Sequence, residues 1–284
     1  MVTGSSGYLG RALVGYLQDR SIDVLPCTRS TIDIRAFSTL AMKAEYQDVS
    51  HLYHLAGVTG VKESWRDPTE YYAVNVLGTQ QALEFCRRTQ AKFIYASAFV
   101  HGSKECSPVA ENAVVEPVNP YSHSKWMGEE ICRHYADKFD VNYVIARLFN
   151  VYGSTQSTSF LIPRIIEQVE SDSNEILVHG LTPLRDYVYI DDVTRLMYML
   201  GQLNQVNFTL NIGTGIGTSV REVIDHVQGI WGTTKVVVDK GTTRPNEINS
   251  AVADTAEFIN LFDDFTFIDI KDGLKKIHTG NNEL

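Results

Sequence analysis

Tyr121 and Lys125 stand four residues apart in the stretch Y-S-H-S-K, and that spacing places both on one face of a helix. A lysine ammonium beside a phenol favours the phenolate, and an oxidised nicotinamide nearby would add to the effect. The tyrosine could then act as a general base at neutral pH. On its own the Y-x-x-x-K pair is equally a surface helix pair. Two companions give it weight. Ser97 ends a short apolar run, Phe93 to Ala96, and ligands of open α/β sheets lie beyond the carboxyl ends of strands. The chain opens with M-V-T-G-S-S-G-Y-L-G, in which Thr3, Gly4, Gly7 and Gly10 give T-G-x-x-G-x-x-G between an apolar strand and a helical pattern. Glycines let a backbone turn tightly and approach a pyrophosphate, and a helix start offers free N–H groups to the anion. The three features together predict hydride chemistry on a dinucleotide cofactor.

The elements that must position these residues follow in a βα rhythm. Helix one is predicted from Tyr8 to Arg20 and a strand from Ile22 to Cys27. In a Rossmann unit an acid at the end of that second strand binds the adenosine ribose. None stands there; the chain reads Cys27-Thr28-Arg29-Ser30. A carboxylate would repel a 2′-phosphate, whereas a hydroxyl and a guanidinium attract one, so NADP is favoured and NAD remains compatible. Arg29 as a solvated turn residue is the other reading. Asp33 and Ile34 could cover the adenine, and a weak helix is expected over Arg35 to Gln47. A third strand, His51 to Leu55, ends in the small turn Ala56-Gly57, with His54 read as a packed strand-end histidine. The segment Val61 to Trp65 leads to Pro68, where a long helix starts and runs to about Arg88. Asn75 is polar inside its apolar pattern, either exposed or a buried amide bracing the active-site strand. A fifth strand is read at Tyr143 to Arg147. Beyond Gly153 the rhythm breaks into shorter strands and helices, which predicts a smaller lobe interleaved with the first part. Only Met1 and Val2 precede Thr3, so the first strand is expected to be short, or to lack its opening residues.

The 284 residues carry a net charge of −9, with 44% hydrophobic and 21% charged residues, ordinary for a soluble globular protein. Nothing forms a basic run, so nucleic acid is not an expected partner. An acidic chain that binds phosphate must gather its arginines, which singles out Arg29, Arg147, Arg185 and Arg244. Cys27, Cys86, Cys106 and Cys132 fit neither a zinc site nor a disulfide framework, so they are expected as reduced thiols, with no metal, in a cytoplasmic protein. No signal peptide is read before the loop at Gly4, and no apolar run approaches a membrane span.

Taken together, T-G-S-S-G-Y-L-G, H-L-A-G, N-V-L-G-T (Asn75 to Thr79), Ser97 with Tyr121 and Lys125, R-L-F-N-V-Y-G, R-D-Y-V-Y-I-D-D-V, N-I-G-T-G and R-P-N-E resemble the extended short-chain dehydrogenase/reductases of the nucleotide-sugar epimerase/dehydratase branch. The resemblance spans essentially the whole chain. It implies an α/β fold: a Rossmann-type, doubly wound parallel sheet over residues 1–153, with a smaller C-terminal α/β substrate lobe over 154–284 that returns some elements to that sheet. It implies a cofactor site of Gly4, Ser6, Gly7, Tyr8, Leu9, Gly10, Thr28, Arg29, Asp33, Ile34, Leu55, Ala56, Gly57, Asn75, Tyr121 and Lys125. Tyr121 would move the proton of a sugar C4 hydroxyl, Ser97 would hydrogen-bond the same oxygen, and Lys125 would hold the nicotinamide ribose. Asn150, Arg185 and Arg244 would clasp the substrate pyrophosphate and Glu247 a nucleoside ribose. A homodimer is expected, paired through the Pro68–Arg88 and Tyr121 helices.

Departures from the family pattern narrow the reaction. Sugar 4,6-dehydratases carry Asp-Glu directly after the catalytic Ser/Thr, where this chain has Ala98-Phe99, and the corresponding Glu of nucleotide-sugar decarboxylases is also missing. The Cys and His of the 3,5-epimerase/reductases have no match, and His101 replaces the usual Tyr of V-Y-G. A nucleotide-sugar 4-epimerase of UDP-hexose type is expected. The alternatives are an NADPH-dependent 4-keto-6-deoxy nucleotide-sugar reductase, favoured by Thr28-Arg29, and an NADP-binding regulatory protein, against which the intact Ser97/Tyr121/Lys125 set counts.

Overall fold

Two residues, Val2–Thr3, form β1, the strand around which the principal sheet is ordered. The computed structural model describes residues 1–99, 107–241 and 248–281. On one side β1 pairs in parallel with β2 (Pro26–Cys27), and on the other with β3 (His51–His54), with Thr3 opposite His54. The sheet continues through β4 (Lys92–Ala98), β5 (Tyr143–Leu148) and, from later in the chain, β9 (Phe208–Ile212), in the order β2-β1-β3-β4-β5-β9. The order reverses direction between β1 and β3. In a doubly wound sheet that reversal opens a crevice beyond the carboxyl ends of the two strands. The loops there are Gly4–Gly10 and Leu55–Gly57.

Several predicted elements change form. The strand expected over Ile22–Cys27 shrinks to Pro26–Cys27, because a strand needs a partner and β1 offers two residues. Leu25 still contributes its carbonyl, 3.0 Å from the Val2 nitrogen. The weak helix expected at Arg35–Gln47 is a pair of 3-10 segments, Ile34–Met42 and Ala44–Tyr46, which bury Phe37 and Leu40. The long helix after Pro68 is interrupted. It begins as α3 (Pro68–Tyr71), widens into a π segment over Tyr72–Leu77, and resumes as α4 (Gly78–Thr89). A π turn inserts a residue into the 3.6 period, which a periodicity reading does not register. Ahead of it lies α2 (Val61–Arg66), to which the sequence reading assigned no element.

Helix α1 (Tyr8–Gln18) and helix α5 (Pro120–Phe139) follow the sequence pattern closely. Helix α5 starts at Asn119, whose side chain accepts from the Ser122 amide at 2.8 Å, with Pro120 at the first turn. The core beneath these helices is built from Phe37, Leu52, Leu83, Phe85, Phe93, Tyr95 and Ile145. Cys27, Cys86 and Cys132 are free and buried, and Cys106 lies outside the described residues.

The chain divides into two units. The first takes Met1–His101, Glu111–Leu148 and Val193–Asn211; the second takes Gly102–Ala110, Phe149–Asp192 and Ile212–Leu284. In the second unit β8 (Leu184–Tyr189) pairs with β6 (Asn150–Tyr152) and β12 (Ser250–Ala251) in parallel and with β10 (Gly217–Ser219) antiparallel, while β7 (Glu175–Val178) pairs in parallel with β11 (Val236–Asp239). The buried Asp186 carboxylate on β8 accepts from the amides of Thr214 (2.8 Å), Gly215 (2.9 Å) and Ala253 (3.2 Å), tying the N-I-G-T-G turn to the strand. Among the described residues no helix is long and apolar enough to cross a membrane, and no group of His, Cys, Asp and Glu could hold a metal ion.

His54 is fully buried at the end of β3, and its bonds define its tautomer. Thr79 donates its hydroxyl to the Asn75 carbonyl at 2.6 Å, so its oxygen accepts from His54 Nε2 at 3.2 Å. The proton therefore sits on Nε2, and Nδ1 accepts from Thr3 Oγ1 at 2.9 Å. Thr3 Oγ1 in turn accepts from the Leu55 and Ala56 amides, both at 3.2 Å. Burial, reinforced by the Lys125 charge, pulls the imidazole down to about 3. Folding thus excludes a proton that the unfolded chain takes up below about pH 6.5. Stability is fully present above that pH and falls as pH drops toward 3. Denaturant unfolding of wild type and His54→Gln across that window should show wild type losing on the order of 4 kcal/mol more than the variant. Parallel losses in the two proteins would contradict the assignment.

Candidate active site

The glycine loop after β1 is built for close approach. Gly4 has φ +66°, and a Cβ there would lie 2.7 Å from the Ala56 nitrogen. A Cβ at Gly10 would overlap the Gly4 carbonyl oxygen. The loop after β1, the loop after β3 and the start of α1 therefore touch through bare backbone. The first turn of α1 presents amides that no helical carbonyl can satisfy. Ser5, which the sequence reading passed over, has a buried hydroxyl with no hydrogen-bond partner. A cradle that side chains would fill, beside a helix N-terminus and an unpartnered buried hydroxyl, fits a bound dinucleotide pyrophosphate. Ser6, Tyr8 and Leu9 lie in the same turn, and Leu55, Ala56 and Gly57 form its opposite wall.

At the end of β2, Thr28 is half-buried and its hydroxyl meets Ser30 Oγ at 2.7 Å. The Arg29 side chain is 81% exposed, 3.7 Å from Glu70. Asp33 does not face this turn as an open carboxylate. It caps the 3-10 segment through the Arg35 amide at 2.9 Å and holds the Arg35 guanidinium, which keeps the acid at about 2. Ile34 packs on Gly78, where an added Cβ would come within 2.9 Å of it. The pair expected to cover an adenine is therefore partly engaged in local structure.

Asn75 is buried on the π segment, and its amide is committed to the protein. Nδ2 donates to the Val58 carbonyl at 3.1 Å and to Ser124 Oγ at 2.9 Å, and Oδ1 accepts from the Val58 amide at 2.9 Å. These bonds match the reading of Asn75 as a buried bracing amide. It is a brace between the loop after β3 and α5, with both amide hydrogens donated and Oδ1 accepting from the Val58 amide.

On α5, Tyr121, Lys125, Glu129 and Arg133 recur at four-residue spacing and form one stripe. The ring of Tyr121 meets Tyr71 edge-on, with centroids 6.1 Å apart. The Tyr71 hydroxyl points at the carbonyls of Thr59 and Gly60, at 2.6 and 2.8 Å. Burial, with Tyr71 adding to it, pushes the Tyr121 phenol above its ordinary range. The expected lowering by Lys125 is not what the protein alone delivers. The Lys125 ammonium instead lies over the Tyr95 ring, 4.3 Å from its centroid, and burial draws it down to about 8.

Ser97 is buried on β4, opposite Arg147 of β5. Its hydroxyl donates to Glu129 Oε1 at 2.7 Å. Glu129 also accepts from Arg147 Nε at 3.0 Å and Nη2 at 2.8 Å, and from Arg133 Nη2 at 2.9 Å. The sequence reading singled out Arg147 for phosphate. The structure spends it on Glu129 and, through Nη1, on the Glu111 carbonyl at 2.7 Å. Glu129 itself was missed, although its i,i+4 spacing from Lys125 was a usable signal.

In the second unit Asn150 stands opposite Tyr187 in the β6–β8 register, and Arg185 lies two residues before Tyr187. Strand alternation puts Asn150 and Arg185 on one face. Arg185 donates through Nη1 to the Leu184 and Ile248 carbonyls, both at 2.8 Å, and Asn150 Nδ2 reaches the Asp186 carbonyl at 3.3 Å. Arg244, Glu247 and His101 lie outside the described residues.

Comparison with known proteins identifies the family and matches the fold. The family model described as NAD dependent epimerase/dehydratase matches residues 1–213. A candidate UDP-glucose 4-epimerase of Methanocaldococcus jannaschii is 31% identical over 98% of this chain and 96% of its own. GDP-6-deoxy-D-talose 4-dehydrogenase of Aggregatibacter actinomycetemcomitans is 27% identical over 98% and 96%. Among solved structures, the UDP-glucuronic acid 4-epimerase of Bacillus cereus in complex with UDP-glucuronic acid and NAD superposes with a TM-score of 0.86 at 26% identity, covering 99% of this chain and 98% of that one.

Proposed function

We propose, for a chain that belongs to the NAD dependent epimerase/dehydratase family and is an enzyme, that it inverts C4 of a nucleotide-linked hexose, of UDP-hexose type. The observation that carries this reading is the stripe Tyr121–Lys125 on α5 beside a buried Ser97, with only Ala98 and Phe99 after the serine. With Ala98-Phe99 in place of the dehydratases' Asp-Glu pair, a phenol that transfers one proton suits oxidation and re-reduction at a single carbon better than elimination of water. The epimerases among the relatives support the same reading.

The residues divide the work as follows. The Gly4–Gly10 cradle and the Leu55–Gly57 wall would hold a nicotinamide dinucleotide at the sheet reversal. When bound, the oxidised nicotinamide supplies the hydride acceptor and a positive charge near the phenol. Tyr121, held up by burial, then becomes the base that takes the C4 hydroxyl proton and later returns it. Lys125 would orient the cofactor ribose as an ammonium, its charge present below about pH 8. Ser97 donates to Glu129 in the free protein and would turn that one proton to the C4 oxygen when the sugar is bound. Asn150 and Arg185, with Arg244 and Glu247 from sequence, are the proposed grip on the nucleotide.

A second reading, a 4-keto-sugar reductase using NADPH, is favoured by the open Arg29 side chain beside the Thr28 and Ser30 hydroxyls and by the absence of an acid at the end of β2. The 27% identity to a GDP-sugar dehydrogenase is compatible with it.

A panel of UDP-, GDP- and dTDP-linked sugars, incubated with purified protein with and without NADPH, separates the two. The epimerase reading predicts interconversion of two C4 epimers with no added reductant, and at least roughly a hundredfold loss of turnover in Tyr121→Phe with dinucleotide binding retained. A stoichiometric demand for NADPH would overturn it in favour of the reductase. Arg29→Ala should weaken NADP binding about tenfold more than NAD binding, read by equilibrium titration. Equal losses would remove Arg29 from 2′-phosphate recognition.

A further inference from the structure

The Glu129 carboxylate has no exposed surface, and among the described residues its two oxygens accept from the side chains of Ser97, Arg133 and Arg147. So many bonds leave the carboxylate one orientation. A serine hydroxyl samples three staggered positions, and the 2.7 Å bond to Oε1 selects one of them for Ser97. One turn earlier on the same helix face stands Lys125. Among the described residues, the groups facing Lys125 are Glu129, Cys132 and Tyr121 on α5, Tyr95 on β4 and His54 on β3. Burial keeps the Cys132 thiol, both phenols and the imidazole uncharged at neutral pH. Among these groups Glu129 alone carries negative charge.

We infer that Glu129 is a positioning residue of the site: its single carboxylate fixes the Ser97 hydroxyl and supplies the counter-charge that faces Lys125. The inference rests on the reading of Ser97, Tyr121 and Lys125 as the reacting set, and it adds a residue to that set without touching substrate. Burial lowers Lys125 and Glu129 opposes that lowering. Removing the carboxylate therefore moves the loss of the Lys125 proton to lower pH, whereas removing Ser97 leaves the charge in place.

The test needs no substrate, so its outcome is independent of the sugar panel. In protein labelled with 13C-lysine, without added nucleotide, the Lys125 signal is identified by its absence in Lys125→Arg and followed through pH. Wild type should titrate near 8. Glu129→Gln should titrate about one pH unit lower, and Ser97→Ala should match wild type. Glu129→Gln strands Arg147. If that variant does not fold, Glu129→Gln/Arg147→Met removes the stranded guanidinium and should show the same displacement, since Arg147 is not among the groups facing Lys125. A Lys125 midpoint unchanged on loss of the carboxylate would overturn the inference, as would an equal displacement in Ser97→Ala, which would report a loosened helix instead of a lost charge.

Discussion

A buried carboxylate between two guanidiniums and a serine anchors the helix that carries Tyr121 to the sheet. Glu129 comes from α5, Ser97 from β4 and Arg147 from β5, so one group joins three elements. Breaking a buried pair by removing one partner typically costs about 3–5 kcal/mol, because the other charge is left without compensation. Apolar packing could hold α5 on the sheet equally firmly. It would not fix where the Ser97 Oγ sits, and the proposed chemistry depends on that position.

A second polar route runs through the core to the same helix. It starts at the amides of Leu55 and Ala56, passes through Thr3, His54, Thr79 and the Asn75 backbone, and leaves by the Asn75 side chain to Ser124, whose hydroxyl donates to the Tyr121 carbonyl at 2.8 Å. The loop that walls the dinucleotide cradle and the helix that carries the phenol are thus linked by directed bonds among buried groups. Such chains are costly when one member is unsatisfied and specify a single arrangement when all are. The π segment belongs to this route, since it brings Asn75 inward to meet both Val58 and Ser124.

Much of this was legible in the sequence. The glycine spacing predicted a close approach that Gly4 and Gly10 make with bare backbone. The spacing of Tyr121 and Lys125 predicted a shared helix face, and Ser97 ends a strand beside it. What escaped the sequence shares a physical cause: it depends on partners far away in the chain. The length of β2 is set by β1. The role of Asn75 is set by Ser124, and the fate of Arg147 by Glu129. The Tyr121 phenol lies high because of burial and Tyr71, which a local reading of Lys125 had no means to weigh.

The central claim is that one hydride leaves and returns to C4 of the sugar while Tyr121 handles the proton. It is tested most directly with a nucleotide hexose carrying deuterium at C4, turned over in ordinary water and analysed by mass spectrometry and NMR. The account predicts that the inverted product keeps its deuterium at C4, since the hydride never exchanges with solvent. Loss of the label to water, with hydrogen in its place, would contradict it.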